Sequence, residues 1–328
     1  MHDSAAVLRL RAHRTFNALC ETASPFRYPI IFLAGYLAID MLWTRAVGIT
    51  ISGLVGIGCF VVSAFALGIV LRTIGTAAPD FKFAAGLRVF GSGLAYFGAG
   101  SGGAALTAIF IFPCNRWALP FRDAAYARAD AALGFNWVAW VNFVHAHPAL
   151  NAIVEAGYYT HILQYMAVYF ALAILRDKWR AAEFFWCVNL AGIVTGLISG
   201  LFPAVGARTA FLHIRSPWLH DLFLARSTGI ASFELTHTVG IVTMPSYHAT
   251  LAALFTWSMR RTGPFGWAVA ALNLAMLMGT PSEGGHYLVD ILAGLTIAAL
   301  VVTGVNWART AAGANAVSRD AARSLQPA

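Results

Sequence analysis

The sequence predicts an all-α integral membrane protein, a bundle of about eight transmembrane helices. Composition is the first indication, because 59% of the 328 residues are apolar and only 11% are charged. In soluble domains, roughly 45–50% of the residues are apolar and about 25% are charged. The second indication is that several stretches approach the ~20 apolar residues needed to cross a bilayer. Together these observations exclude an ordinary soluble domain.

Eight apolar runs, bounded by charge or proline, are the candidate membrane spans. The first is interrupted by Asp40, and the sixth is short. Because the first run follows about 25 residues of mixed tail and lacks an A-x-A-like cleavage site, we expect an anchor rather than a signal peptide. The spans cover approximately residues 28–44, 48–71, 84–112, 151–175, 183–202, 246–259, 264–280 and 286–307.

The distribution of Lys and Arg predicts the orientation, because short cytoplasmic loops carry an excess of both. With the N-terminus inside, the cytoplasmic segments hold fourteen of these residues and the outer segments seven, with Arg88 left inside the third span. Both termini are therefore expected in the cytoplasm. Anionic lipid suffices to explain the net charge of +8, so we expect membrane lipids and no nucleic acid as partners.

The third span and the loop after it carry two further patterns. Six glycines lie between Gly91 and Gly103, and they predict close helix packing because small residues let helices approach each other in lipid. The long loop 113–150 contains the segment from Asp130 to Trp140. For this segment we expect a helix in the membrane interface with its indoles at headgroup depth.

Two polar motifs begin the sixth and eighth spans, namely Pro245-Ser-Tyr-His248 and Gly285-His-Tyr-Leu-Val-Asp290. Ionisable residues at the edge of a span are costly, which makes them candidates for function. The chain between the motifs forms one helical hairpin, so both are expected at the same membrane surface. His286 and Asp290 are four residues apart and are therefore expected to share one helix face.

These residue types suit covalent phosphoryl chemistry. Asp290 can accept the Nδ1 proton of His286, which leaves Nε2 free to attack phosphorus. His248 can protonate the departing oxygen and then activate the water or alcohol that attacks the phosphohistidine. Ser246 at a helix start and the backbone at Gly285 are expected to hold phosphate oxygens. We expect no cofactor and no metal, because no cluster of carboxylates indicates one.

The paired motifs resemble those of the phosphatidic acid phosphatase type 2 superfamily, which also contains lipid phosphatases and vanadium haloperoxidases. The runs Thr-Met-Pro-Ser-Tyr-His-Ala and Gly-Thr-Pro-Ser-Glu-Gly-Gly-His-Tyr are typical of its inositol phosphorylceramide synthases and their bacterial relatives. The resemblance covers about residues 115–307 and implies a six-helix phosphatase-type core. It implies His286 as the nucleophile, Asp290 as its orienting group and His248 as the acid/base.

On this basis we expect four segments. Residues 1–25 form a cytoplasmic N-terminal tail, 26–112 the N-terminal transmembrane helices, 113–308 the catalytic membrane domain and 309–328 a cytoplasmic C-terminal tail.

The sequence departs from the family pattern in its basic residues. The Lys-x6-Arg-Pro motif and the Ser-Arg pair upstream of the second histidine are absent. A buried phosphate still needs countercharge. Candidate substrate-binding residues are Arg208, which we favour, and His161, followed by Arg122 and Arg128.

Three functions remain open from the sequence. The first is a phosphotransferase that moves a phospholipid headgroup, as the inositolphosphotransferase resemblance implies. The second is a hydrolase of a lipid phosphate, such as phosphatidate or a polyprenyl diphosphate. The third is a transporter or scaffold, although the ionisable residues cluster at one surface and form no relay across the bilayer. We expect a bacterial plasma (inner) membrane location with an extracytoplasmic active site. The lipid, the acceptor and the oligomeric state stay open.

Overall fold

The computed structural model describes residues 15–20, 22–214, 219–236 and 240–324, with side chains as far as residue 311. In this part of the chain nearly all regular structure is helical, as predicted. The α-helices are α1 (Arg27–Ala46), α2 (Leu54–Ala77), α3 (Ala84–Asn115), α4 (Asp123–Ala132), α5 (Trp137–Ala146), α6 (Pro148–Tyr159), α7 (His161–Ile174), α8 (Lys178–Leu201), α9 (Ala207–Leu212), α10 (Leu219–Arg226), α11 (Tyr247–Ser258), α12 (Pro264–Gly284) and α13 (Leu288–Ser324). Two short strands are β1 (Ile49–Ser52) and β2 (Ala231–Glu234).

Each of the eight predicted spans has a helical counterpart, which confirms the all-α membrane bundle. Three predicted spans correspond to α6 with α7, to α11 and to α12, which are shorter or less apolar than the rest. In the described part of the chain, five helical segments are long and apolar enough to cross a membrane. They are Thr15–Ala46, which includes α1, then α2, α3 and α8, and the part of α13 from Leu288 to Ala311.

The predicted start of the second span at residue 48 is wrong, because residues 49–52 form a strand. β1 pairs in parallel with β2, with Ile49 opposite Ala231. Gly53 then adopts a left-handed conformation with φ 80°, and α2 begins after it. Hydrogen bonding to a distant strand thus overrides the apolar pattern.

The fourth predicted span, 151–175, is also interrupted. α6 ends at Tyr159 and α7 begins at His161, while the hydroxyl of Thr160 between them donates to the carbonyl of Gly157 at 2.8 Å. By contrast, α1 continues through Asp40, whose side chain is fully buried.

The segment from Asp130 to Trp140 does not form the single interfacial helix expected from the sequence. Gly134, with φ 75°, separates α4 from α5. Trp137 is 3% exposed and packs in a cluster with Tyr287. The indole of Trp140 donates to the carbonyl of Met278 at 3.2 Å. Both indoles are therefore used in packing against the part of the chain that carries the site, and their position at headgroup depth stays a prediction.

The glycine-rich helix α3 packs closely on α2, as predicted. A Cβ at Gly91 would lie 2.6 Å from the backbone nitrogen of Arg72 and from the carbonyl oxygen of Gly68. A Cβ at Gly98 would lie 2.7 Å from the nitrogen of Phe65. No side chain fits between backbones at these distances, so the glycines set the helix separation.

The ends of five helices meet at one end of the bundle. Here α7, α11 and α13 begin, and α6 and α12 end. α11 and α13 are joined by a hydrogen bond from the Thr250 hydroxyl to the Gly294 carbonyl at 3.0 Å. Beneath this end lies the largest apolar core, which includes Tyr169, Phe184 and Phe255. The polar motifs are thus held on a rigid apolar base.

Candidate active site

His286 and Asp290 lie together at the start of α13. The Nδ1 atom of His286 is 3.5 Å from Oδ2 of Asp290, at the outer limit of hydrogen bonding. Asp290 is fully buried and His286 is 4% exposed. The same carboxylate oxygen accepts a hydrogen bond from the backbone N–H of Tyr287 at 2.9 Å. The carboxylate is thereby fixed facing Nδ1, which leaves Nε2 as the nitrogen available to a ligand.

The second histidine faces the first across the mouth of the bundle. The ring centroids of His248 and His286 are 6.4 Å apart, with the ring planes at 63°. Ring nitrogens at such a separation can each lie about 3 Å from a different atom of one phosphate group. The structure therefore brings together the three residues for which the sequence predicts catalytic roles.

Ser246 has a structural position rather than the exposed one expected from the sequence. It is fully buried and caps α11, where its Oγ accepts from the backbone N–H of Ala249 at 3.3 Å. Its own backbone N–H donates to the carbonyl of Asp290 at 2.9 Å. The predicted helix start is correct. Its oxygen accepts one hydrogen bond as a helix cap, and the role of its O–H group in holding phosphate stays a prediction.

The backbone amides near Gly285 also differ from the expectation. Gly285 ends α12 in a left-handed conformation with φ 68°, and its N–H donates to the carbonyl of Pro281 at 3.1 Å. Its carbonyl accepts from Ala207 at 2.8 Å. The N–H groups of Leu288 and Val289 donate to Asp130 at 2.8 and 2.9 Å. A side-chain carboxylate thus occupies the helix start that the sequence assigns to a ligand anion.

Two further aromatic residues complete the surroundings of His248. The ring of Tyr158 stacks on it with centroids 4.3 Å apart, and the Tyr158 hydroxyl is 3.4 Å from its Nδ1. The ring of His161 lies 4.6 Å away, and its Nδ1 is 3.0 Å from the Tyr158 carbonyl oxygen. His161 therefore lies next to His248, and its role in substrate binding stays a prediction. No role was predicted for Tyr158 from the sequence, because its contact with His248 joins residues 90 positions apart.

Two carboxylates from α4 also hold the turn that carries His286, and sequence reasoning gave them no role. Asp130 caps α13, and burial raises the pKa of its carboxyl, while the two backbone N–H groups act in the opposite direction. Asp123 accepts from the N–H groups of Val205 and Gly206, each at 3.0 Å, and from the hydroxyl of Tyr287 at 3.1 Å. The turn that carries His286 is therefore held by α4, which is not part of the helical hairpin between the two motifs.

Of the four basic candidates, two lie beside the site. The guanidinium of Arg208 donates to the carbonyls of Ser282 and Glu283, at the end of α12 that leads into the histidine turn. His161 is the other. The side chains of Arg122 and Arg128 are exposed, and no described contact joins them to the histidines.

Gly294 should be required for the close packing of α13 on α11, which aligns the two motifs. A Cβ at this position would meet the carbonyl oxygen of Ser246, and would lie 3.1 Å from the Thr250 hydroxyl. We expect Gly294→Ala to lower the free energy of unfolding by about 1–3 kcal/mol, as overpacking does. The matched control is Gly304→Ala on the same helix, where a Cβ meets nothing within 4 Å. Equal thermal unfolding midpoints for both variants in detergent would contradict this packing.

One of three comparisons with known proteins identifies a family. The sequence profile of the PAP2 superfamily matches residues 124–304. No curated protein and no solved structure gives a significant match to the chain. In the described part of the chain, no group of three or more His, Cys, Asp or Glu side chains is arranged to hold a metal ion. Since the profile match spans more than half of the sequence and includes both histidine motifs, the chain belongs to the PAP2 superfamily.

Proposed function

We propose that the chain is a membrane enzyme that transfers a phosphoryl headgroup from a phospholipid, in the manner of an inositolphosphotransferase, through a phosphohistidine at His286. The observation that supports this most directly is the placement of two imidazoles 6.4 Å apart, one of them beside the buried Asp290. Superfamily membership supports phosphatase-type chemistry in general. The ends of apolar helices around the site suit a lipid substrate.

In the first step, Nε2 of His286 attacks phosphorus. A nitrogen–phosphorus bond forms while the bond from phosphorus to the leaving oxygen breaks. Protonated His248 gives its proton to that oxygen, so the leaving group departs as an alcohol. The positive charge that develops on His286 is stabilised by Asp290, which stays ionised beside Nδ1.

In the second step, neutral His248 takes the proton from an acceptor alcohol or from water. The acceptor oxygen attacks phosphorus, and the nitrogen–phosphorus bond breaks. His248 is then protonated and His286 is neutral, as at the start. Tyr158 supports this exchange, because its stacking and its contact with Nδ1 limit rotation of the His248 ring.

We propose that Arg208 supplies a positive charge to the bound phosphate. Asp290, Asp123 and Asp130, which lie around the same site, carry charge of the same sign as the phosphate. We expect Arg208→Gln to lower kcat/KM by roughly 10- to 100-fold, chiefly through KM, because charge-assisted hydrogen bonds contribute about 1.5–3 kcal/mol. Arg122→Gln, at an exposed position, is the matched control. An unchanged KM in the Arg208 variant, with the thermal midpoint preserved, would remove Arg208 from this role.

Two features favour transfer over hydrolysis. One is the resemblance of the segments around His248 and His286 to the inositol phosphorylceramide synthase branch. The other is the 4% exposure of His286, because restricted access of water protects a reactive intermediate from hydrolysis. The alternative is a lipid phosphate phosphatase with the same histidine chemistry, in which water is the acceptor.

The deciding experiment uses the purified chain with labelled phosphatidylinositol, phosphatidylglycerol, phosphatidate and a polyprenyl diphosphate, each with and without ceramide or diacylglycerol. We expect a new labelled lipid only when an acceptor is present. Release of free phosphate at the same rate with and without acceptors would instead establish the hydrolase. No turnover of any phosphate ester, with or without EDTA, would count against both and in favour of a scaffold or transporter. Turnover that EDTA abolishes would contradict the proposed metal-free chemistry.

We propose that the site faces the extracytoplasmic side of a bacterial plasma membrane, with both termini in the cytoplasm. The positive-inside distribution supports this orientation. Ala124 on α4 and Ala78 between α2 and α3 are both exposed, and lie on opposite sides in this arrangement. After Cys20 and Cys59, the exposed cysteines, are replaced by Ser, an impermeant maleimide applied to intact cells should label Ala124→Cys and not Ala78→Cys. The reverse labelling pattern would invert the orientation.

A further inference from the structure

A basic cavity of about 270 Å³ lies at the end of the bundle opposite the active site. It is lined by Arg72 on α2, Arg88 on α3, and Arg176 and Lys178 where α7 gives way to α8. Three chain segments that are distant in sequence therefore contribute cations to one cavity. This arrangement also includes Arg88, the one Arg or Lys that lies inside a predicted span.

The cavity is separate from the catalytic chemistry. α7 begins at His161, beside the catalytic histidines, and ends at Ile174, close to the cavity. At a rise of about 1.5 Å per residue, the two sites are roughly 20 Å apart. An anion in the cavity therefore cannot be the phosphate that contacts His286.

The described part of the chain does not neutralise the cationic charge of the cavity. Within the described residues, no carboxylate lies within 4.0 Å of a nitrogen of these four side chains. Asp177, between Arg176 and Lys178, is instead paired with Arg180 at 2.9 Å. Four like charges around one cavity repel each other and attract an anion.

One of the cations is already ordered. Arg88 donates from one terminal nitrogen to the carbonyl of Gly75 at 2.6 Å. Its other N–H groups are not used in this hydrogen bond. Tyr96 and Thr76 add hydroxyl groups to the lining. A guanidinium held in place loses less conformational entropy when it binds a phosphate.

The rest of the lining indicates a lipid. Ala85, Val89 and Leu172 contribute apolar surface next to the cations. The cavity is at the end of membrane-spanning helices, and the exposed side chains of Phe83, just before α3, and Phe90, on α3, extend the apolar surface close by. We infer that this cavity binds the phosphate group of an anionic phospholipid of the leaflet opposite the active site.

The test measures lipid binding to the full chain purified in detergent, by native mass spectrometry. The probes are dioleoylphosphatidylglycerol, dioleoylphosphatidylcholine and inorganic phosphate. The cavity variant is Arg72→Gln with Arg176→Gln. The control, Arg261→Gln with Arg309→Gln, removes the same charge from the same end of the bundle, outside the cavity.

We expect phosphatidylglycerol affinity to fall roughly thirtyfold in the cavity variant, because each cation near an anionic lipid contributes about a factor of five. The control should change less than about threefold, and phosphatidylcholine binding should not change. Phosphatidylglycerol bound at the active site is the same in both variants, so the difference between them reports on the cavity. If the double variant does not fold, Lys178→Gln should give about a fivefold loss.

Equal losses in the cavity and control variants would overturn the inference, because they would show a response to net charge alone. Binding of inorganic phosphate without phosphatidylglycerol would overturn the assignment to a lipid. This test does not depend on the proposed function. The His286→Ala variant should lose turnover, but it should bind phosphatidylglycerol at the cavity as the wild-type chain does.

Discussion

Replacement of His286 by Ala should lower turnover at least about 10⁴-fold, because it removes the atom that forms the covalent bond to phosphorus. Substrate binding should be affected far less, since Arg208 and His161 remain. The measurement is steady-state turnover of the lipid identified by the substrate panel, with the thermal midpoint recorded on the same preparation.

His220→Ala is the matched control for this variant, because His220 is exposed on α10 and has no proposed role. It should retain full activity. A His286→Ala enzyme that keeps more than a few per cent of wild-type turnover would show that phosphorus is attacked by another group.

Replacement of His248 by Ala should lower turnover by about 10²–10⁴-fold with a natural lipid, which has an alkoxide leaving group that needs a proton. With a p-nitrophenyl phosphodiester the leaving group departs without one, so the first step should be slowed much less. The measurement compares the rate of the first step for both substrates in the wild-type and variant enzymes.

The contrast between the two histidines makes this prediction specific. His286→Ala should be equally inactive with both substrates, because the nucleophile is needed in each case. An equal loss for both substrates in His248→Ala would indicate a structural or binding role for His248 rather than proton transfer.

The central part of the site could be predicted from the sequence because it depends on short-range regularities. A spacing of four residues places His286 next to Asp290, and a hairpin of two spans returns His286 to the level of His248. These relations hold for any helical hairpin, whatever the remainder of the chain does. The helical membrane fold could also be predicted, since the apolar composition alone indicates that the chain folds in a bilayer.

The remaining parts of the site depend on contacts between residues distant in sequence, which periodicity cannot specify. Asp130 caps α13 from 158 positions away, and Tyr158 contacts His248 across 90 positions. Because Asp130 uses the first amides of α13, the helix start that the sequence assigns to phosphate is occupied. In the same way, Trp137 is drawn into the protein by packing against Tyr287, although its sequence surroundings are typical of a membrane interface.

The same distinction applies to the cavity at the other end. The excess of Arg and Lys on the side that we predict to be cytoplasmic is visible in the sequence, but it indicates only a general attraction to anionic lipid. That Arg72, Arg88 and Arg176 face one cavity follows from the packing of α2 on α3 and of α7 beside them.

The most direct test of the account is to trap the covalent intermediate. The purified chain is mixed with ³²P-labelled phosphatidylinositol or phosphatidate and quenched in alkali within one turnover. We predict label on the protein that is stable in base and lost in acid, as a phosphorus–nitrogen bond is, and that maps to the peptide containing His286. Turnover with no label on the wild-type chain, or label that persists in His286→Ala, would contradict it.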